Sequence, residues 1–199
     1  MRYRALMLTL SMLLVQLLAA EDVFGAGARY SSTAFAYRID PPAGTWASWP
    51  GLEDDYAHAD AGYLGVRGYG AVVMPVCWQG ESPSQLALLE VFLSRFGENY
   101  PTPFIDSESP VGKSDAEGIY LVGNEAVDGK DYAYHFWIVA NASCAYTLAA
   151  WGPADDPGTV RDLHALWDSL QLSSSPAILE SGGSDSEKAA NAYFLNQVG

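Results

Sequence analysis

The sequence is poor in positive charge. Ten Lys and Arg stand against 24 Asp and Glu in 199 residues, a formal net charge of −14. Two of the ten, Arg2 and Arg4, precede an apolar run, and the others, Arg29, Arg38, Arg67, Arg95, Lys113, Lys130, Arg161 and Lys188, are scattered. Affinity for phosphates needs Lys and Arg gathered on one surface, so nucleic acid is excluded as a partner and a bare anionic membrane is disfavoured. Cysteine is nearly absent: Cys77 and Cys144 do not form a C-x-x-C pair, which removes the thiol-redox signature. Neither G-x-S-x-G nor H-E-x-x-H occurs, so the hydrolase and zinc-protease signatures are missing too.

What the chain does have begins with a secretory leader. Arg2 and Arg4 lead into apolar sequence from Ala5 to Ala20, interrupted by Thr9, Ser11 and Gln16. This run is shorter than the roughly 20 residues that span a bilayer comfortably. Ala26 and Ala28 supply the small residues for a cut before Arg29. Residues 1–28 therefore read as a signal peptide; the alternative is an uncleaved anchor holding the same domain at the outer face of the membrane. Either way the protein is periplasmic or otherwise exported. In an oxidising compartment Cys77 and Cys144 either pair, closing a loop worth about 4 kcal/mol in the chain-entropy model, or stay as two small buried hydrophobes.

Periodicity predicts an α+β domain over residues 29–172, an antiparallel β-sheet flanked by helices. Phe35, Tyr37 and Ile39 alternate as in a half-buried strand. The run AVVMPVCW reads as a central strand, with Pro75 demanding a bulge or an edge. Ser82, Pro83 and Gln85 form a capping box for a helix whose stripe is Leu86, Leu89, Leu93 and Phe96, ended at Gly97. From Glu117 the strands return as a three-stranded meander turned by Asp128-Gly129 and by Asn141-Ala142-Ser143, with Tyr132, Tyr134, Phe136 and Ile138 on one face. A second helix carries Val160, Leu163, Trp167 and Leu170. Residues 173–187, rich in Ser and Gly, read as a linker, and Ala189, Ala192, Leu195 and Val198 begin a further helix over 188–199 that predicts continuing sequence.

The order of these elements, the string YAYHFWIVANASCAYTLAAW and the closing helix LHALWDSLQL resemble the PsbP-like family of exported bacterial proteins over residues 33–172. The resemblance implies a layered sandwich of sheet and helices, with binding or assembly roles more often than catalysis, and it carries over no active site. The ending resembles the first helix of a tetratricopeptide (TPR) repeat, with Leu195, Val198 and Gly199 in the W-x-x-L-G spacing and Leu in place of Trp; a lone amphipathic helix is the alternative. Such arrays present concave protein-binding surfaces.

Several local patterns suggest chemistry and fall short of it. Gly112-Lys113-Ser114 matches the end of a phosphate loop, but Ser107 stands where the motif needs Gly and Pro110 lies inside it. His58, His135 and His164 fall in a loop, a strand and a helix, where a metal site needs them to converge. Glu53, Asp54, Asp55 and Asp60 lack the spacing of a calcium loop. Asn141-Ala142-Ser143 has the form of a glycosylation acceptor but reads as a turn. Trp46 and Trp49, in a turn-rich stretch beside Asp54 and Asp55, mark either a binding patch or a cover over one end of the sheet core. No metal, cofactor or catalytic residue is expected. The sequence points to a non-catalytic protein-interaction or assembly module of the cell envelope with a protein partner; the alternative is a carrier of a small apolar or amphipathic ligand, which needs an enclosed apolar cavity.

Overall fold

A computed structural model describes residues 28–56, 58–78, 81–99 and 104–173. Residues 1–27 of the predicted leader (1–28), residues 174–187 of the predicted linker (173–187) and the predicted terminal helix (188–199) lie outside them. The chain runs β1 (Tyr30–Ser32), β2 (Tyr37–Ile39), β3 (Trp46–Ser48), a single turn α1 (Leu52–Asp55), β4 (Ala61–Gly65), β5 (Gly70–Cys77), α2 (Gln85–Asn99), β6 (Phe104–Lys113), β7 (Ala116–Val127), β8 (Lys130–Ala140), β9 (Cys144–Pro153), α3 (Thr159–Ser169) and β10 (Leu170–Leu172). Seven strands form one antiparallel sheet in the order β3-β4-β5-β9-β8-β7-β6, and β1, β2 and β10 form a smaller one. The domain is α+β and rich in sheet. Among the described residues no helix is long and apolar enough to cross a membrane.

The large sheet is buried on both faces. On one face Trp137, Val139, Tyr146, Leu148 and Val73 pack with Leu163, Leu166 and Trp167 of α3 and with Tyr37 and Ile39 of the small sheet. On the other, Phe136, Leu121, Tyr134, Val72 and Met74 pack with Phe92 of α2 and with Tyr56. Because both faces are covered, β5 and β9 are buried almost throughout, and alternation weakens into the continuous apolar runs seen in the sequence.

Asp128 and Gly129 join β7 to β8 with φ values of 52° and 76°, both left-handed as a two-residue hairpin of this type requires. Asn141 shapes the next turn by accepting the N–H groups of Ser143 and Cys144 on its side-chain oxygen. Pro75 sits opposite Tyr146 in unbroken register, and β4 pairs with β5 only as far as Val73. The strand is central in the sheet, yet Pro75 occupies a local edge, where its missing N–H costs no ladder bond.

Several details differ from the sequence reading. The meander has four strands, since β6 pairs with β7 from Phe104 to Lys113 with a bulge between Ile105 and Ser107. Its Asp106-Ser107-Glu108-Ser109 stretch is exposed on both faces and so carries no alternation. Helix α2 begins two residues later than the capping box suggests: Ser84, not Ser82, accepts the Ala87 N–H on its hydroxyl at 3.2 Å. Its buried residues are Leu88 and Phe92, Leu86 is 65% exposed, and the helix continues through Gly97 to Asn99. In α3 the buried residues are Thr159, Asp162, Leu163, Leu166 and Trp167, while Val160 is exposed. Leu170 belongs to β10, and Phe35 lies in the turn before β2, still buried.

Candidate functional site

The two tryptophans singled out by the sequence go to opposite faces of the sheet. Trp46, at 0% exposure, packs beside Tyr69 with ring centres 5.8 Å apart, so it belongs to the core and cannot serve as a binding surface. Trp49 lies half-buried against Tyr56 and Trp151 on the other face, and its indole N–H donates to Asp55 Oδ2 at 3.0 Å. Asp54 is exposed next to that pair. Asp60 accepts the Tyr37 hydroxyl at 2.7 Å. Asp55 and Asp60 are thus tied to separate aromatic partners.

Cys77 and Cys144 face each other in the β5–β9 register and are joined as a disulfide. The bond staples two central strands at the end where the Asn141 turn enters β9.

Two of the three histidines meet. Tyr120 of β7 places its Oη 2.5 Å from His135 Nδ1 on β8 and 3.0 Å from His164 Nε2 on α3. Adjacent strands put Tyr120 and His135 on the same sheet face, and α3 lays His164 over them. Burial pulls His135 down to about 4, helped by His164, and pushes Tyr120 up to about 12. Near neutral pH the phenol is therefore protonated and His135 is neutral. The phenol donates its proton to one ring nitrogen, and the other imidazole donates N–H to the phenol oxygen. Trp137 stacks on Tyr120 and on Trp167 behind this network. His58 lies in the loop before β4, three strands from β8. Among the described residues no group of three His, Cys, Asp or Glu side chains is placed to hold a metal ion.

The Gly112-Lys113-Ser114 segment ends β6 and enters the β6–β7 turn, with Ser114 at φ 56°. Lys113 crosses to the α3 side and donates to the Trp167 and Asp168 carbonyl oxygens. Its amino group is engaged in closing a helix.

An open groove of about 660 Å³ lies on the α2 side of the sheet. Its lining includes Leu88, Ile138, Pro110, Glu117 and Ala140. Register explains why it exists. Across the strands, Gly112, Glu117, Ala140 and Ala145 form one row on this face, with little side-chain bulk, and Pro110, Ile119, Ile138 and Thr147 form the next. Helix α2 covers β5 and its neighbours through Leu88 and Phe92 but leaves the β6–β7 end open. Beneath α2, between Met74, Leu88, Phe92 and Ile138, the enclosed space is only about 20 Å³. The groove was not legible in the sequence, since no motif marks it; the absence of bulk at Gly112 and Ala140 was the signal, and it acquires meaning only once the register is known.

No known protein family matches this chain, and no curated protein does. Among solved structures, a protein from Bacteroides thetaiotaomicron VPI-5482 is similar with a TM-score of 0.49 and 15% identity over 75% of this chain; the similar region spans 49% of that protein. LpqN, involved in cell envelope biogenesis of Mycobacterium tuberculosis, is similar with a TM-score of 0.40 and 13% identity, covering 75% of this chain and 85% of LpqN.

Proposed function

We propose that this domain is a non-catalytic interaction module of the cell envelope, PsbP-like in its layering, exported by its leader and followed by the start of a tetratricopeptide array. The observation that carries the reading is the open groove of about 660 Å³ set on an otherwise filled sheet face. A carrier of a small apolar ligand needs an enclosed cavity of several hundred Å³, and the space under α2 is far smaller. The polar convergence at Tyr120, His135 and His164 lies on the opposite sheet face from the groove, so it supports packing of α3 better than catalysis on a bound substrate. The disulfide fits an oxidising compartment.

A photocrosslinking residue placed at Gln85, on the groove, and separately at exposed Val160, on α3, tests the assignment in intact cells. A discrete protein adduct is expected from the Gln85 position, absent from the Val160 position and removed by Ala140→Trp, which fills the groove. Adducts of equal strength from both positions, or none from Gln85, would overturn the assignment. A small-molecule adduct would move it to the carrier.

A further inference from the structure

We infer that Tyr120, His135 and His164 form a binding site for a copper(II) ion, held by two imidazole nitrogens and the phenolate oxygen. The site lies on the α3 face of the sheet, and it stands or falls independently of the groove. Three observations lead there. First, donor atoms from three elements face one another. Tyr120 Oη on β7 lies 2.5 Å from His135 Nδ1 on β8 and 3.0 Å from His164 Nε2 on α3. Ligand atoms on one ion, each about 2.0–2.1 Å from it, stand about 2.8–3.4 Å from each other at right-angled to tetrahedral geometry. The tighter of the two spacings has to open by a few tenths of an ångström. Both imidazoles already turn a ring nitrogen toward the phenol oxygen, so an ion bound among them takes the place of the shared protons.

Second, the three rings surround one point. Their centres are 5.8 Å apart for Tyr120 and His135, 5.4 Å for Tyr120 and His164, and 5.6 Å for His135 and His164, close to an equilateral triangle. Imidazole and phenol rings ligating the same ion keep their centres on the order of 5–6 Å apart. The framework that holds them is packed: Trp137, 1% exposed, stacks on both Tyr120 and His135.

Third, an ion can reach the site and is not opposed by charge. His135 is buried, but Tyr120 and His164 are half-buried, and the residue paired with Tyr120 on β6 is Ser109, small and exposed. A further coordination position therefore opens to water on the β6 side. The cations of β6 and α3 are engaged elsewhere, Lys113 with the α3 carbonyls and Arg161 with Asp162, and the net charge of −14 draws cations to the chain. Two imidazoles and one phenolate are nitrogen and oxygen donors, for which copper(II) leads the divalent series. On binding, the phenol O–H bond breaks, a copper–oxygen bond forms and the proton passes to water. The imidazole that donated to the phenol keeps its proton by moving it to the other ring nitrogen, so one proton leaves per ion.

Copper(II) chloride titrated into the full exported chain, stripped of metal and held near neutral pH, tests the site. The expected result is a visible phenolate-to-copper charge-transfer band that saturates at one ion per chain, with two-nitrogen splitting in the electron paramagnetic resonance spectrum. Calorimetry in two buffers of different ionisation enthalpy is expected to count one proton released. Tyr120→Phe keeps the stack on Trp137 and is expected to abolish the band and weaken binding at least about tenfold. His164→Ala is expected to weaken binding by at least as much, and His58→Ala to leave band and affinity unchanged. Copper bound without the band, or a band that persists in Tyr120→Phe, would overturn the assignment. Equal affinity in wild type and His164→Ala would mean an adventitious ion only. The wild-type spectrum decides by itself if either variant fails to fold.

Discussion

Lys113 Nζ lies 4.5 Å from the centre of the Trp167 ring and donates to the Trp167 carbonyl oxygen at 2.7 Å. The β6–β7 hairpin thus puts a positive charge on the last carbonyls of α3, where the helix concentrates negative partial charge, and over the electron-rich face of its own aromatic ring. Burial lowers the affinity of this amine for its proton, with the Asp168 carboxylate acting in the other direction. Lys113→Met keeps the apolar stem and removes the charge. It is expected to cost about 1–2 kcal/mol, seen as a lower urea midpoint at unchanged slope. A midpoint equal to wild type would mean that the amine is as well served by water as by the helix.

His135 gives the domain an acid limit. Burial holds its folded-state value near 4, against an ordinary value of 6.5. The unfolded chain therefore binds a proton that the folded chain refuses, and stability falls as pH drops from about 6.5 to about 4, by up to about 3 kcal/mol. Above pH 6.5 this group contributes no slope. Urea unfolding of wild type and His135→Gln at pH 7.5, 6.5, 5.5 and 4.5 isolates the effect, because the surface carboxylates are common to both. The variant is expected to show the flatter profile; parallel profiles would show that His135 takes its proton as readily folded as unfolded.

How much of this was legible in the sequence varies with the element. The Asp128-Gly129 hairpin and the shared face of Tyr134, Phe136 and Ile138 are local facts of turn chemistry and period, and they read directly. The helix faces came out rotated because several apolar residues compete for one stripe: Leu86 and Leu88 are equally apolar, and the Ser84 cap together with the position of Phe136 decides between them. Strand β6 hides because its middle, Asp106 to Ser109, is exposed on both faces and has no alternation to show. The meeting of Tyr120 with His135 and His164 depends on register between β7 and β8 and on where α3 returns, contacts 15 and 44 residues apart in sequence. Composition carries no trace of them.

The disulfide joins positions 67 residues apart. Closing a loop of that length restricts the unfolded chain by an amount equivalent to about 4 kcal/mol. The double variant Cys77→Ala, Cys144→Ala is expected to lose about 3–4 kcal/mol in urea unfolding. Both sulfurs are buried, Cys144 completely, so reduction by dithiothreitol is expected to be slow in native buffer and fast in denaturant. Thiol labelling follows both. Rapid reduction of the native protein would show that the β5–β9 end opens locally.

Two glycines that line the groove, Gly112 on its face of the sheet and Gly118 in the next, opposite-facing row, differ in what a side chain would meet. A Cβ at Gly118 would stand 1.9 Å from the Ile138 carbonyl oxygen and 2.9 Å from the Val139 Cα, both backbone atoms of the neighbouring strand that cannot yield without breaking the β7–β8 ladder. A Cβ at Gly112 would meet nothing nearer than the Ala116 carbonyl oxygen at 3.6 Å, an ordinary contact. Gly118→Ala is therefore expected to destabilise by about 3 kcal/mol or more, and Gly112→Ala to stay within about 1 kcal/mol of wild type. The comparison is made by urea unfolding of the two variants side by side. If both were tolerated, the close approach of β7 to β8 at Gly118 would be relaxed in solution.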